Sequence, residues 1–249
     1  MSAVTHLILE TAPAVLLFAA VFLAGEHIHP LRSLVKDRRT LVSFTAGMSA
    51  AYVFVHMMPE LHEARELLVE AASETVTMRY EGISIYFVAL IGFICFYGLD
   101  RLRSGDGETG EAEHEEGSGT MHIGGMAAYV GLTSYLLVRS AGESVTATVI
   151  YALAFGGHFL ALEHSLREEY GEAFRRSGRW VMAGSCLLGW AIGISLGVPA
   201  FVLALLVAFI SGGVIMTNTL MELSEGKDGR FGPFMAGSLI YGLMLVPLG

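Results

Sequence analysis

The sequence predicts an all-α membrane protein of eight transmembrane helices, on three observations. The 249 residues are 53% hydrophobic and only 16% charged, with a mean hydropathy of +0.58, whereas a soluble domain carries roughly 25% charged residues. Apolar runs long enough to span a bilayer recur along the chain, at 7–24, 40–61, 83–99, 121–138, 145–164, 179–196, 198–221 and 233–248. With the N-terminus outside, eight passes place twelve Lys and Arg in cytoplasmic loops and leave only Arg65, Arg79 and Arg139 outside, the asymmetry that orients membrane proteins.

The runs fill the chain, so residues 1–249 are expected to form a single transmembrane domain in the cell (inner) membrane, multi-pass, with both termini outside the cytoplasm. The first run has no basic start, and Lys36, Arg38 and Arg39 come after it, so it reads as a span rather than a signal peptide. Cys95 and Cys186 each fall inside a span and suggest neither a disulfide framework nor a CxxC metal site. The net charge of −9 comes largely from two acidic loops. The bilayer is the expected surroundings, and no nucleic-acid partner is expected.

In order, the first span carries His6 and Glu10 near its outer end and finishes inside at Glu26, His27 and His29. The second holds a polar stripe, Thr45, Ser49, Tyr52, His56 and Glu60, whose steps of three and four put it on one helical face. The third, ISIYFVALIGFICFYG, is nearly featureless and reads as structural. Residues 104–120, rich in Gly, Ser and acids, are expected to be a flexible cytoplasmic linker, with His114 a weak cation holder at most. The fourth span offers His122, Met126, Tyr129 and Thr133. The fifth is the most loaded: His158 near mid-span beside Gly156 and Gly157, then Glu163, His164 and Glu168. The seventh carries Ser211, Asn218, Glu222 and Glu225, and the glycine-dotted third and eighth fit a homodimer contact.

The second and seventh spans echo each other. Laid 162 residues apart, Ser49 meets Ser211, His56 meets Asn218, and Glu60 meets Glu222. A polar stripe repeated in two halves of a membrane protein suggests an internal repeat flanking a substrate path. Charged groups in the hydrocarbon cost roughly 2.5–3.5 kcal/mol on insertion scales, so they face partners or a watery cavity. His and Glu together suit a divalent transition metal. The expected metal-binding residues are His56 and Glu60 at an outer station, His158 in the middle, and Glu163, His164, Asn218 and Glu222 further in. Glu163 lies about 140° around the helix from His158, so the expectation is separate stations rather than one binuclear site.

On these residues the chain resembles the ZIP (Zrt-, Irt-like) family of divalent-metal transporters. AGMSAAYVFVHMMPELHEA resembles that family's second helix, a small-residue run ending in His-Leu-Leu-Pro-Glu-Ala, and FISGGVIMTNTLMELSEG resembles its seventh. The resemblance implies a 3+2+3 inverted-repeat bundle. It also implies transport of a divalent metal ion as substrate, zinc first and iron or manganese next, with no organic cofactor and no enzymatic activity. His158 matches the family's fifth-helix His, but Phe159 stands where the family has Glu, Leu162 stands at the later ligand, and no acid comes after Thr133 and Ser134 on the fourth helix. Those departures leave a non-transporting ZIP-like scaffold or accessory protein as the alternative. An intramembrane His/Glu metalloenzyme fits less well, because its histidines would be split between the two sides of the membrane.

Overall fold

The computed structural model describes residues 3–25, 38–59, 61–62, 65, 78–103, 112–140, 144–224 and 230–246. Those residues are all-helical. The helices are α1 (Ala3–Ala24), α2 (Arg38–Tyr52), α3 (Met78–Arg103), α4 (Ala112–Ser140), α5 (Val145–Ala173), α6 (Arg179–Ser195), α7 (Ala200–Ser224) and α8 (Phe231–Leu245). A π-helical turn at Val53–Met57 prolongs α2, and another at Phe174–Gly178 joins α5 to α6. Among the described residues, five helical stretches are long and apolar enough to cross a membrane: Val4–Ala24, Thr40–Met57, Gly119–Arg139, Val145–Ser195 and Ala200–Thr217. The expected third and eighth spans fall in α3 and in the shorter apolar α8.

The 51-residue stretch Val145–Ser195 would be about 75 Å long as one straight helix, against roughly 30 Å of hydrocarbon. It folds back instead. Gly156 lies beside Leu17 and Phe18, and Gly25 beside Glu163, so α5 runs parallel to α1. Trp190 Nε1 donates to Thr11 Oγ1 at 2.8 Å while Arg179 sits with Phe22 and Leu23, so α6 runs antiparallel to it. The break is at Gly171, whose φ of 49° and ψ of −116° suit a residue without Cβ. Gly171→Ala is expected to destabilise by about 1–2 kcal/mol although a methyl group there would meet nothing; a lowered midpoint in thermal unfolding checks it.

α5 packs on α1 and α2 through an aromatic core. Phe159 meets Phe18 edge-on with ring centroids 5.0 Å apart, Tyr151 and Phe155 stack at 4.4 Å, and Tyr52 stands edge-on to both. Two further helix pairs, α2 with α8 and α3 with α7, approach until backbones touch. At Gly47 a methyl group would overlap the Phe234 carbonyl and the Ser238 amide, and at Gly237 the Phe44 carbonyl. At Gly212 it would overlap the Ala89 carbonyl and the Phe93 amide, and at Gly92 the Phe209 carbonyl. The two crossings are thus built alike, atom for atom. Phe44 to Phe209 and Gly47 to Gly212 are both steps of 165 positions, three more than the 162 of the sequence echo. Gly47→Leu and Gly212→Leu should each destabilise by roughly 1–3 kcal/mol through forced separation, with similar losses at the two sites in unfolding assays.

Two expectations change. Residues 104–111 lie outside the described residues, but 112–120 already belong to α4, Glu-rich at the start and helical in spite of Gly117 and Gly119. The stripe on the second span assumed 100° per residue throughout. The π turn, closed by the Met58 N–H on the Val53 carbonyl, adds a residue and rotates the side chains beyond it around the helix axis.

Candidate functional site

The polar stripe of α2 faces inward up to Tyr52. Thr45, Ser49 and Tyr52 are all buried. Their hydroxyls largely turn to backbone: Thr45 Oγ1 donates to the Val42 carbonyl at 3.0 Å, and Ser49 Oγ lies 3.0 Å from the Thr45 carbonyl and 3.4 Å from that of Ala154 on α5. Such back-bonding hides a hydroxyl in an apolar helix without a partner side chain. On α7, Ser211 does the same to the Val207 carbonyl at 2.8 Å. His56, half-buried within the π turn, stacks at 5.1 Å on Tyr52. Glu60 lies outside the described residues, as do the side chains of Asn218 and Glu222 on α7.

His158 is fully buried midway along α5. Three helices meet around it. Its Nε2 is 2.9 Å from the Tyr129 hydroxyl of α4, and the side chains of Thr133 (α4) and Thr217 (α7) adjoin that hydroxyl. The preceding Gly157 lies against Thr45 of α2. A glycine there lets α2 come close enough to shut water away from the imidazole. Thr217 was not among the sequence candidates. Its signal was available, since it stands one residue before Asn218 in an otherwise apolar stretch.

The next station is a chain of side chains rather than an open ligand set. Glu163 is 2% exposed, and Arg167 Nε donates to its Oε1 at 2.7 Å. Arg167 Nη2 also points at His164 Nδ1, 3.4 Å away. A guanidinium only donates, so Nδ1 is the acceptor and the proton sits on Nε2, which faces Glu168 Oε1 at 3.4 Å. Both nitrogens of a neutral His164 are thereby engaged. A cavity of about 10 Å³ beside Glu163 is lined by Arg167, Arg175 and Arg179 with Phe22, Leu23 and Phe174. Three guanidiniums against one carboxylate disfavour a bare cation.

His158 and Glu163 have different partners, Tyr129 and Arg167. Among the described residues, no three of His, Cys, Asp and Glu come together as metal ligands. Phe159, where the resemblance would place a Glu, is fully buried and packs on Phe18 and Phe22. Elsewhere, His6 lies 3.8 Å from Glu10, and His122 Nδ1 is 2.8 Å from the Tyr170 hydroxyl. Cys186 is buried and Cys95 exposed, both as free thiols. Compared with known proteins, the chain matches no family model, no curated protein and no solved structure.

Proposed function

We propose that this chain is a ZIP-like, eight-pass membrane protein that moves a divalent metal ion, with zinc the first candidate and iron or manganese next. The pairing of the helices supports the inverted-repeat part of this reading. Exchange the first three helices with the last three, and α4 with α5. The α2–α8 pair then becomes α7–α3, α1–α5 becomes α6–α4, and α1–α6 maps onto itself; all of these pairs are in contact. The matched glycine crossings obey the same exchange. Internal two-fold repeats of this kind place substrate sites at the repeat interface near the bilayer midplane.

His158 carries the transport reading. It is a fully buried imidazole halfway along α5, where α2, α4 and α7 converge. An imidazole at that depth suits zinc, iron or nickel. In this reading His56 and Glu60 form the outer station, and Asn218 and Glu222 supply α7's share of the ligands. The ion passes Glu163 and His164 only when Arg167 releases them. Metal flux into proteoliposomes is the test. His158→Ala and Glu222→Gln should each cut flux at least tenfold, and flux unchanged in both would sink the proposal.

A second reading, a non-transporting ZIP-like scaffold or accessory protein, is favoured by a specific observation. Tyr129 already partners His158, and Arg167 already neutralises Glu163. A purified sample whose unfolding midpoint does not move with Zn, Mn, Fe or Ni would select it.

A further inference from the structure

A second cavity lies on the flank of the bundle, away from His158. It is a trough of about 400 Å³ between α4 and α6, within the range of about 300–1,000 Å³ typical of ligand sites. Its walls are almost wholly apolar: Ala128, Leu132 and Tyr135 from α4, Leu188 and Ile192 from α6, and Leu206 from α7. The trough exists because Gly131 and Gly189 bring the two helices into backbone contact and leave a small-residue floor between larger rims. Leu188 and Ile192 on one rim are exposed, so it opens sideways, toward the lipid.

Just beyond the lining, at the end marked by Tyr135 and Val198, stands a charged group. Arg139, in the last turn of α4, lays its guanidinium over the Tyr135 ring at 5.8 Å and donates through Nη2 to the Gly193 carbonyl. Its Nη1 approaches Gly197, next to Val198 in the trough wall. Its Nε is buried and finds no acceptor, and the guanidinium makes no ion pair among the described residues. A buried, charged donor left unmatched costs free energy unless something supplies the acceptor. Arginine at the end of a membrane helix, backed by a tyrosine, sits at headgroup depth.

We infer that the α4–α6 trough is a binding site for one phospholipid: an acyl chain lies along the apolar floor, and the phosphate oxygens accept from Arg139. The apolar lining selects the chain. The unmatched, charge-assisted donor selects an anionic headgroup over a zwitterionic one. The inference does not depend on metal transport.

Delipidated protein in a neutral detergent provides the test, with the unfolding midpoint and lipid retention in native mass spectrometry as readouts. Phosphatidylglycerol should stabilise the wild type more than phosphatidylcholine of the same chains, and glycerol phosphate alone should do nothing. Arg139→Gln should weaken phosphatidylglycerol retention about tenfold, the equivalent of ~1.4 kcal/mol, and erase the preference between headgroups. Ala128→Phe, at an exposed lining position, should fill the trough and weaken both lipids. Equal retention of both lipids by wild type and Arg139→Gln would overturn the headgroup assignment. Retention unaffected by Ala128→Phe would overturn the site. A dimer that Ala128→Phe dissociates would show that a second copy, not a lipid, covers the trough.

Discussion

His158→Ala should abolish metal flux and also destabilise the bundle by roughly 3 kcal/mol. The two effects have different sources. Truncating a fully buried ring leaves a cavity, for which large-to-small core changes cost about 2–5 kcal/mol. The Tyr129 hydroxyl then loses the partner at 2.9 Å, although Thr133 and Thr217 beside it offer replacements. Interhelical hydrogen bonds within a membrane average about 0.6 kcal/mol and reach about 1.7, so the cavity dominates. Tyr129→Phe separates the two effects. It removes only the hydroxyl, should cost about 1 kcal/mol by that scale, and takes the Tyr129 hydroxyl off Nε2. In a transporter, that variant keeps flux and gains metal-dependent stabilisation. If the pair is purely structural, Tyr129→Phe loses stability and gains no response to any metal. Unfolding midpoints with and without Zn, measured beside proteoliposome flux, distinguish these cases.

The helices were legible because long apolar runs have few other outcomes. The burial of Ser49 and Ser211 was legible too, because spacing alone fixes the face on a regular helix. Beyond Tyr52 the helix is no longer regular. VFVHM looks like uninterrupted helix in sequence, yet it forms a π turn, and periodicity carries no sign of an inserted residue. The echo between the second and seventh spans was visible through polar residues, whereas the packing register is set by glycines, at Gly47 and Gly212, that touch backbone. Polar matching and glycine matching differ by three residues, about one helical turn, so the stripes align in kind but not in register. The pairing of His158 with α4 was legible from depth, whereas the flanking glycines face α1 and α2. Arg167 was not assigned to Glu163 in the sequence analysis, although the i,i+4 spacing was there to read. An arginine near a helix end is ordinarily given to solvent, and only the neighbouring α1 and the π turn after α5 reveal that this end is buried.

That pair sets the other large expectation. Arg167→Met should destabilise by about 3–5 kcal/mol, because it strands a carboxylate that is 2% exposed without its partner 2.7 Å away. Arg175 and Arg179 line the same small cavity, each with contacts of its own. Arg175 is already 3.1 Å from Glu172, and Arg179 lies over the Trp180 ring. Glu163→Gln should cost less, since an amide oxygen can still accept from Arg167 and the remaining guanidinium is 15% exposed to solvent at its side chain. The double variant Glu163→Gln with Arg167→Met should recover part of the loss, because no buried charge is left unmatched. The midpoints of the four proteins form a double-mutant cycle, and its coupling should be clearly favourable to the native pair. Additive losses would mean that Glu163 is held by something other than Arg167. The same cycle repeated with Zn present bears on transport: a carboxylate released by Arg167→Met should accept the ion and restore stability, whereas a purely structural pair leaves that variant equally weak with metal and without.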